Sequence, residues 1–154
     1  MGAGKTTIGK LLAENLDVSF EDLDEIIRVK YGVSINEIFS KYGESAFREA
    51  ESIALINSSG IVISCGGGII LDKKNRDYIK KGLSFFINVN LTELEKRLKY
   101  QNSRPLLDSD NLKKTLTSIW EKRKKMYLKT ANHVINVNNQ SPHVIVQEIL
   151  GYIK

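Results

Sequence analysis

Apolar positions recur at two spacings along the chain, and the switches between them predict its elements. Ile8, Leu11, Leu12 and Leu16 follow the opening glycines at helical spacing, and Val18 and Phe20 then alternate in a short strand over Val18–Asp22. Ile35, Ile38 and Phe39 mark a short helix, and a second runs from about Glu44 to Ser58. The continuous run Ile61-Val62-Ile63 suits a strand buried on both faces, stopped by Gly66, Gly67 and Gly68. A helix near Lys73 to Lys81 ends at Gly82, after which Leu83, Phe85, Ile87 and Val89 alternate as a strand. Thr92 and Glu95 spell a capping box for a helix continued by Leu94 and Leu98. The polar stretch from Gln101 to Asp110 reads as irregular. A long helix through about Lys129, a strand over His133–Val137 and a helix capped by Ser141 with Pro142 in its first turn complete the chain.

Strands alternating with helices specify an α/β fold, a parallel sheet covered by helices on both faces, with ligands beyond the carboxyl ends of the strands. The 154 residues suffice for one domain, residues 1–154, with no internal repeat or linker. With 42% hydrophobic and 27% charged residues and only 2 Pro, the composition is that of a folded globular chain. The single Cys65 excludes an intramolecular disulfide and a multi-cysteine metal site, and no apolar run approaches the ~18 residues of a membrane span. A cytoplasmic location is expected. The net charge of +5 favours anionic partners without choosing among them. The basic run Lys122, Arg123, Lys124, Lys125 and Lys129 fits a solvated helix face.

Gly2-Ala3-Gly4-Lys5-Thr6-Thr7 leads directly into a helix, the setting a phosphate loop requires. Small residues let backbone N–H groups converge on phosphate oxygens, Lys5 would reach the β and γ phosphates, and the Thr6 hydroxyl would ligate Mg²⁺. The first glycine of the full signature would lie two residues before Met1, and so would the strand that precedes it. Met1 is therefore expected to be an internal methionine of a longer polypeptide. Met1-Gly2 with Thr6 also fits a myristoylation pattern, which accounts for nothing downstream.

Asp22 and Asp24 stand two residues apart at a strand end, where an extended backbone would turn both toward the phosphates. A kinase uses one such carboxylate on magnesium's water shell and another at the acceptor hydroxyl; Asp22 could equally cap a helix starting near Leu23, with Glu25 completing the box. Arg48 is spaced to pair with Glu51 at i, i+3, as in a surface salt bridge. Arg123 falls on the stripe of Leu116 and Ile119, where a buried guanidinium wants a substrate carboxylate or a structural acid. Gly66-Gly67-Gly68 offers N–H donors to a close ligand, and Arg104 sits in a polar segment suited to a lid.

These motifs, in this order, resemble the shikimate kinase family over essentially the whole chain: M-G-A-G-K-T-T, Asp22-x-Asp24, Phe47-Arg48-x-x-Glu51, Gly66 to Gly68, Arg104-Pro-Leu-Leu107, and Arg123 in E-K-R-x-x-x-Y. The resemblance implies a three-layer phosphate-loop kinase fold with a five-stranded parallel sheet, four strands of it visible here. It implies a substrate-binding segment about 24–58 and a lid about 100–111. It places Asp24, Arg48, Gly67 and Arg123 on shikimate, and Lys5 and Arg104 on the phosphates. Gly2, Ala3, Gly4, Thr6 and Thr7 belong to the nucleotide loop, Arg97 and Pro142 flank the adenine, and Thr6 and Asp22 hold Mg²⁺. Phe39 and Phe47 resemble the apolar side of the substrate pocket. ATP and shikimate are the implied partners of a monomer binding neither nucleic acid nor membrane, and chorismate and aromatic amino acid synthesis the implied pathway. A gluconate kinase of the same architecture, or a non-catalytic nucleotide- or nucleic-acid-binding module, remains a rival.

Overall fold

A computed structural model describes residues 2–99, 111–137 and 139–153. Helix α1 (Lys5–Leu16) leads to strand β1 (Phe20–Asp22), helices α2 (Leu23–Tyr31) and α3 (Ile35–Asn57), and strand β2 (Val62–Ser64). A single 3₁₀ turn (Ile69–Leu71) and helix α4 (Lys73–Ile79) follow. Strand β3 (Phe85–Val89), helices α5 (Leu91–Leu98) and α6 (Leu112–Thr130), strand β4 (His133–Val137) and helix α7 (Pro142–Leu150) complete the order. The segment expected to form a lid, Arg104 included, lies outside the described residues up to residue 110. Among the described residues, no helix is long and apolar enough to cross a membrane.

The strands are parallel, as the alternation with helices requires, but the described residues form two pairs instead of one four-stranded sheet. β1 pairs with β2 in the register Phe20↔Val62 to Asp22↔Ser64, and β3 with β4 from Phe85↔His133 to Val89↔Val137. What joins the pairs is α1, whose Ile8 and Leu12 pack with Ile87, Val89, Ile135 and Val137 on one side while Val62 packs against the same cluster. The approach of α1 to β1 is close, since a Cβ on Gly9 would meet the Phe20 ring at 2.5 Å. At the far end of the first pair, Glu21 accepts hydrogen bonds from Ser58 Oγ and from Ser59 Oγ (3.2 Å), fastening β1 to the loop that enters β2.

Several local expectations shift by a residue or two. Only Phe20–Asp22 of the first predicted strand is extended, and β2 begins one residue late because Ile61 is 71% exposed. The α5 cap is Asn90, whose side chain accepts from Glu93 N at 2.8 Å, in place of the Thr92–Glu95 box. The two helices expected about 35–39 and 44–58 lie within the span given as α3, which opens on a Ser34–Glu37 capping box and is broken between them at the non-helical Gly43 (φ 81°, ψ 168°). That backbone conformation belongs to glycine, and no atom lies within 4 Å of where a Cβ would sit, so conformational strain alone opposes a side chain. Gly43→Ala is accordingly expected to lower stability by about 1–3 kcal/mol in urea unfolding. An unchanged midpoint would show that the bend is not required.

Candidate active site

The turn before α1 is shaped by backbone conformation. Gly2 (φ 67°) and Gly4 (φ 80°) both adopt left-handed geometry, and Gly4 is the N-cap of α1. No side chain caps this end and no acidic residue occupies its first turn, so the early N–H groups and the helix dipole remain available to an anion. A Cβ on Gly2 would meet Leu98 at 3.2 Å, which places the turn against α5. From the same helix Arg97 pairs with Glu93 through Nε at 2.8 Å and brings Nη1 to 3.4 Å from the Gly2 carbonyl. Pro142 is exposed at the start of α7, the helix that packs on α1.

Thr6 and Asp22, from different elements, meet here: Thr6 Oγ1 donates to Asp22 Oδ2 at 2.6 Å. Asp22 also caps α2, its Oδ1 accepting from Asp24 N at 3.0 Å and Glu25 N at 3.4 Å. Capping and site geometry therefore coexist in one carboxylate. Glu25 turns to Arg28 rather than completing a box. Asp24 is not on extended backbone but in the first turn of α2, which sends it elsewhere than Asp22, to within 3.0 Å of where a Gly66 Cβ would stand.

The charged groups converge beyond the carboxyl end of β2. Lys5, Asp22, Asp24 and Glu51 all act electrostatically on the Cys65 thiol. Glu51 is 1% exposed and pairs with Arg48 Nη1, while Glu44 accepts from Arg48 Nε at 3.2 Å and Nη2 at 3.0 Å. Burial pushes the Glu51 carboxyl up against the pull of Arg48; burial would lower the Arg48 guanidinium, but Glu51 and Glu44 outweigh it and raise it. Phe39 and Phe47, with centroids 4.8 Å apart, lie beneath Arg48 at 5.9 and 5.3 Å. The expected apolar flank of a substrate pocket thus also seats a cation.

The three glycines serve less as open space for a ligand than as space for these side chains. A Cβ on Gly66 would strike Glu51, and one on Gly68 would strike the Arg48 guanidinium. Gly67 turns its carbonyl toward α6, where Arg123 Nη1 donates at 3.3 Å and the Tyr127 hydroxyl at 2.5 Å. Arg123 is only 9% exposed, in keeping with its place on the apolar stripe. A cleft of about 550 Å³ opens beside it, lined by Glu44, Leu71, Lys114, Ile119 and Lys122 among others. Glu44 and Tyr127, the tyrosine of the E-K-R-x-x-x-Y motif, have no role in the sequence reading, although each stands at i, i+4 from one of the two arginines.

An uncapped helix behind a glycine-lysine turn, set at the carboxyl ends of parallel strands, is the architecture of an α/β phosphate-loop kinase. The shikimate kinase family model matches residues 1–154. Shikimate kinase of Sulfurihydrogenibium sp. is 41% identical over 158 residues, covering 100% of this chain and 93% of its own length. That of Geobacter sulfurreducens is 37% identical, covering 100% and 87%. Among solved structures, shikimate kinase from Acinetobacter baumannii in complex with shikimate superposes with a TM-score of 0.95 at 34% identity over 99% of this chain and 88% of that one. The enzyme from Aquifex aeolicus gives 0.84 at 32% over 99% and 91%. The chain belongs to the shikimate kinase family.

Two consequences of this packing are measurable. Burial pushes the Cys65 thiol up to about 12, so the folded protein should resist thiol reagents at pH 8 and react fully once unfolded; rapid labelling of the native protein would contradict it. Gly68→Ala should cost about 1–3 kcal/mol of stability, because its Cβ overpacks the Arg48 guanidinium. A crystal structure of that variant with Arg48 unmoved would refute the account.

Proposed function

We propose that the chain transfers the γ-phosphoryl group of ATP to the 3-hydroxyl of shikimate, giving shikimate 3-phosphate and ADP. The observation that carries this reading is the meeting of Arg48 and Arg123, from two helices, on one glycine loop, with the carboxylates of Asp24 and Glu51 beside Gly66. Two guanidinium groups suit a planar carboxylate, and the kinship with a protein solved in complex with shikimate supplies the acid. The same reading gives a single domain, with a substrate-binding segment about 24–58 and a lid about 100–111. It acts as a cytoplasmic monomer, without nucleic-acid or membrane partners.

In this reading Arg48 and Arg123 hold the carboxylate. The Gly67 carbonyl is committed to α6, so its N–H is what that residue offers a ligand. Asp24 orients the hydroxyl and takes its proton as the oxygen attacks the γ-phosphorus and the bond to the β-phosphate oxygen breaks. Lys5, Arg104 and the amides of Gly2, Ala3, Gly4, Thr6 and Thr7 bind the phosphates, while Arg97 and Pro142 flank the adenine. Catalysis is positioning and charge neutralisation, since a loose transition state asks for little covalent help.

Thr6 and Asp22 fit Mg²⁺ as a pair. Both present hard oxygens 2.6 Å apart, and the described residues contain no three-carboxylate or histidine cage. Magnesium prefers such sparse sites, keeping water and substrate phosphates as its other ligands. Bound there, the ion would neutralise phosphate charge.

An ADP-release assay over a panel of hydroxy acids is expected to show preference for shikimate; preference for gluconate would overturn the assignment. Arg104→Ala should act chiefly on kcat, by up to ~10³-fold if it behaves as an arginine finger, and Arg123→Ala chiefly on the KM for shikimate. Equal effects of both changes on both constants would refute that division of labour.

A further inference from the structure

We propose that Tyr127 is a positioning residue for the acid substrate, fixing through its hydroxyl the aim of Arg123 and its distance from Arg48; this rests on the reading of Arg48 and Arg123 as the carboxylate site. Tyr127 stands one helical turn after Arg123 on the same face of α6. Its hydroxyl donates to the Gly67 carbonyl at 2.5 Å, the same oxygen that the Arg123 guanidinium reaches through Nη1 at 3.3 Å. A carbonyl oxygen has two lone pairs, so Gly67 can hold both donors at once and keep them side by side.

The ring alone does not account for the hydroxyl. Tyr127 stacks on Phe86 with centroids 4.7 Å apart and planes at 5°, and phenylalanine would keep that stack. Its hydroxyl is held where burial makes it hard to ionise, so it serves as a neutral donor. The neighbouring glycine carries the other arginine, because Arg48 occupies the space beside Gly68. Anchoring the Gly67 carbonyl to α6 therefore sets the separation of two guanidinium groups that approach from α3 and α6. The shared acceptor is a neutral carbonyl, so this contact aims Arg123 without pairing it, while the buried Glu51 acts on its charge through space.

The test is Tyr127→Phe in the full protein. Shikimate affinity is read without nucleotide from the fluorescence of Trp120, the only tryptophan, which stacks at 6.1 Å on the Phe86 that supports Tyr127. The expected result is a rise of about tenfold, equivalent to about 1.4 kcal/mol, in both the dissociation constant and the KM for shikimate. The kcat at saturating shikimate and the KM for ATP should stay within about twofold. The handicap should shrink for shikimate methyl ester, which lacks the charge that Arg123 recognises. In an Arg123→Ala background most of the effect should vanish, because the two changes remove one interaction. Unchanged affinity, equal losses for acid and ester, or full additivity with Arg123→Ala would each overturn the proposal, and the acid-to-ester comparison within one variant separates aiming from general loosening. If the unsubstituted protein does not phosphorylate shikimate, it is the underlying reading that fails.

Discussion

The site depends on placing an ion pair, Arg48 with Glu51, against backbone stripped of side chains. Taking two charges out of water costs several kcal/mol per ion, on the order that only close pairing and further hydrogen bonds can offset. Glu51 is almost wholly buried and pairs with Nη1, so the remaining edge of the guanidinium needs another acceptor, which Glu44 provides. The pair fits only because positions 66 and 68 lack a Cβ. The glycine run is thus first a requirement of the protein's own electrostatics, and its reach toward a ligand follows from that.

Topology explains why arginines from distant parts of the chain can share one loop. In parallel α/β units, the segments leaving the carboxyl ends of neighbouring strands emerge on the same rim. β1 ends in Asp22 and continues into α2, β2 ends in Ser64 and continues into the glycines, and the two ends are in register as Asp22↔Ser64. α3 belongs to the connection between β1 and β2, and α6 to the one between β3 and β4, so each pair sends one arginine-bearing helix toward that rim. Since α1 unites the two pairs through its apolar stripe, it fixes the phosphate turn relative to both helices.

Elements with strong periodicity were legible in the sequence. The alternation in Phe85–Val89 and His133–Val137 and the Ser141-Pro142 helix start appear as read, because hydrophobic spacing and capping are local properties. Arg123 was legible as an inward residue for the same reason. The α5 cap was misplaced because Asn90 and Thr92 both suit an N-cap, and the choice rests on where β3 delivers the chain. Ile61 was misread because an apolar run does not say how much of it tertiary structure covers. The aspartate pair was read on extended backbone, whereas α2 begins between its members. The use of the glycines by Arg48 and Glu51 depends on contacts between distant segments that spacing does not encode.

The two arginines are not electrostatically equivalent, and the difference bears on how an anion is held. Arg48 faces Glu51 and Glu44, so a ligand carboxylate arriving there shares a guanidinium already surrounded by negative charge. Among the described residues Arg123 donates to the neutral Gly67 carbonyl, and Glu51, paired with Arg48, acts on it only through space. Its charge is thus only partly answered within the protein, and the cleft beside it, where Lys114 and Lys122 add positive potential, is open to an anion. Fixed neutral dipoles orient a cation without compensating it, whereas a carboxylate in their place would orient and neutralise together. A tyrosine at position 127 therefore suits an arginine whose counter-ion is meant to come from outside, just as glutamates suit one whose main task is to hold the loop.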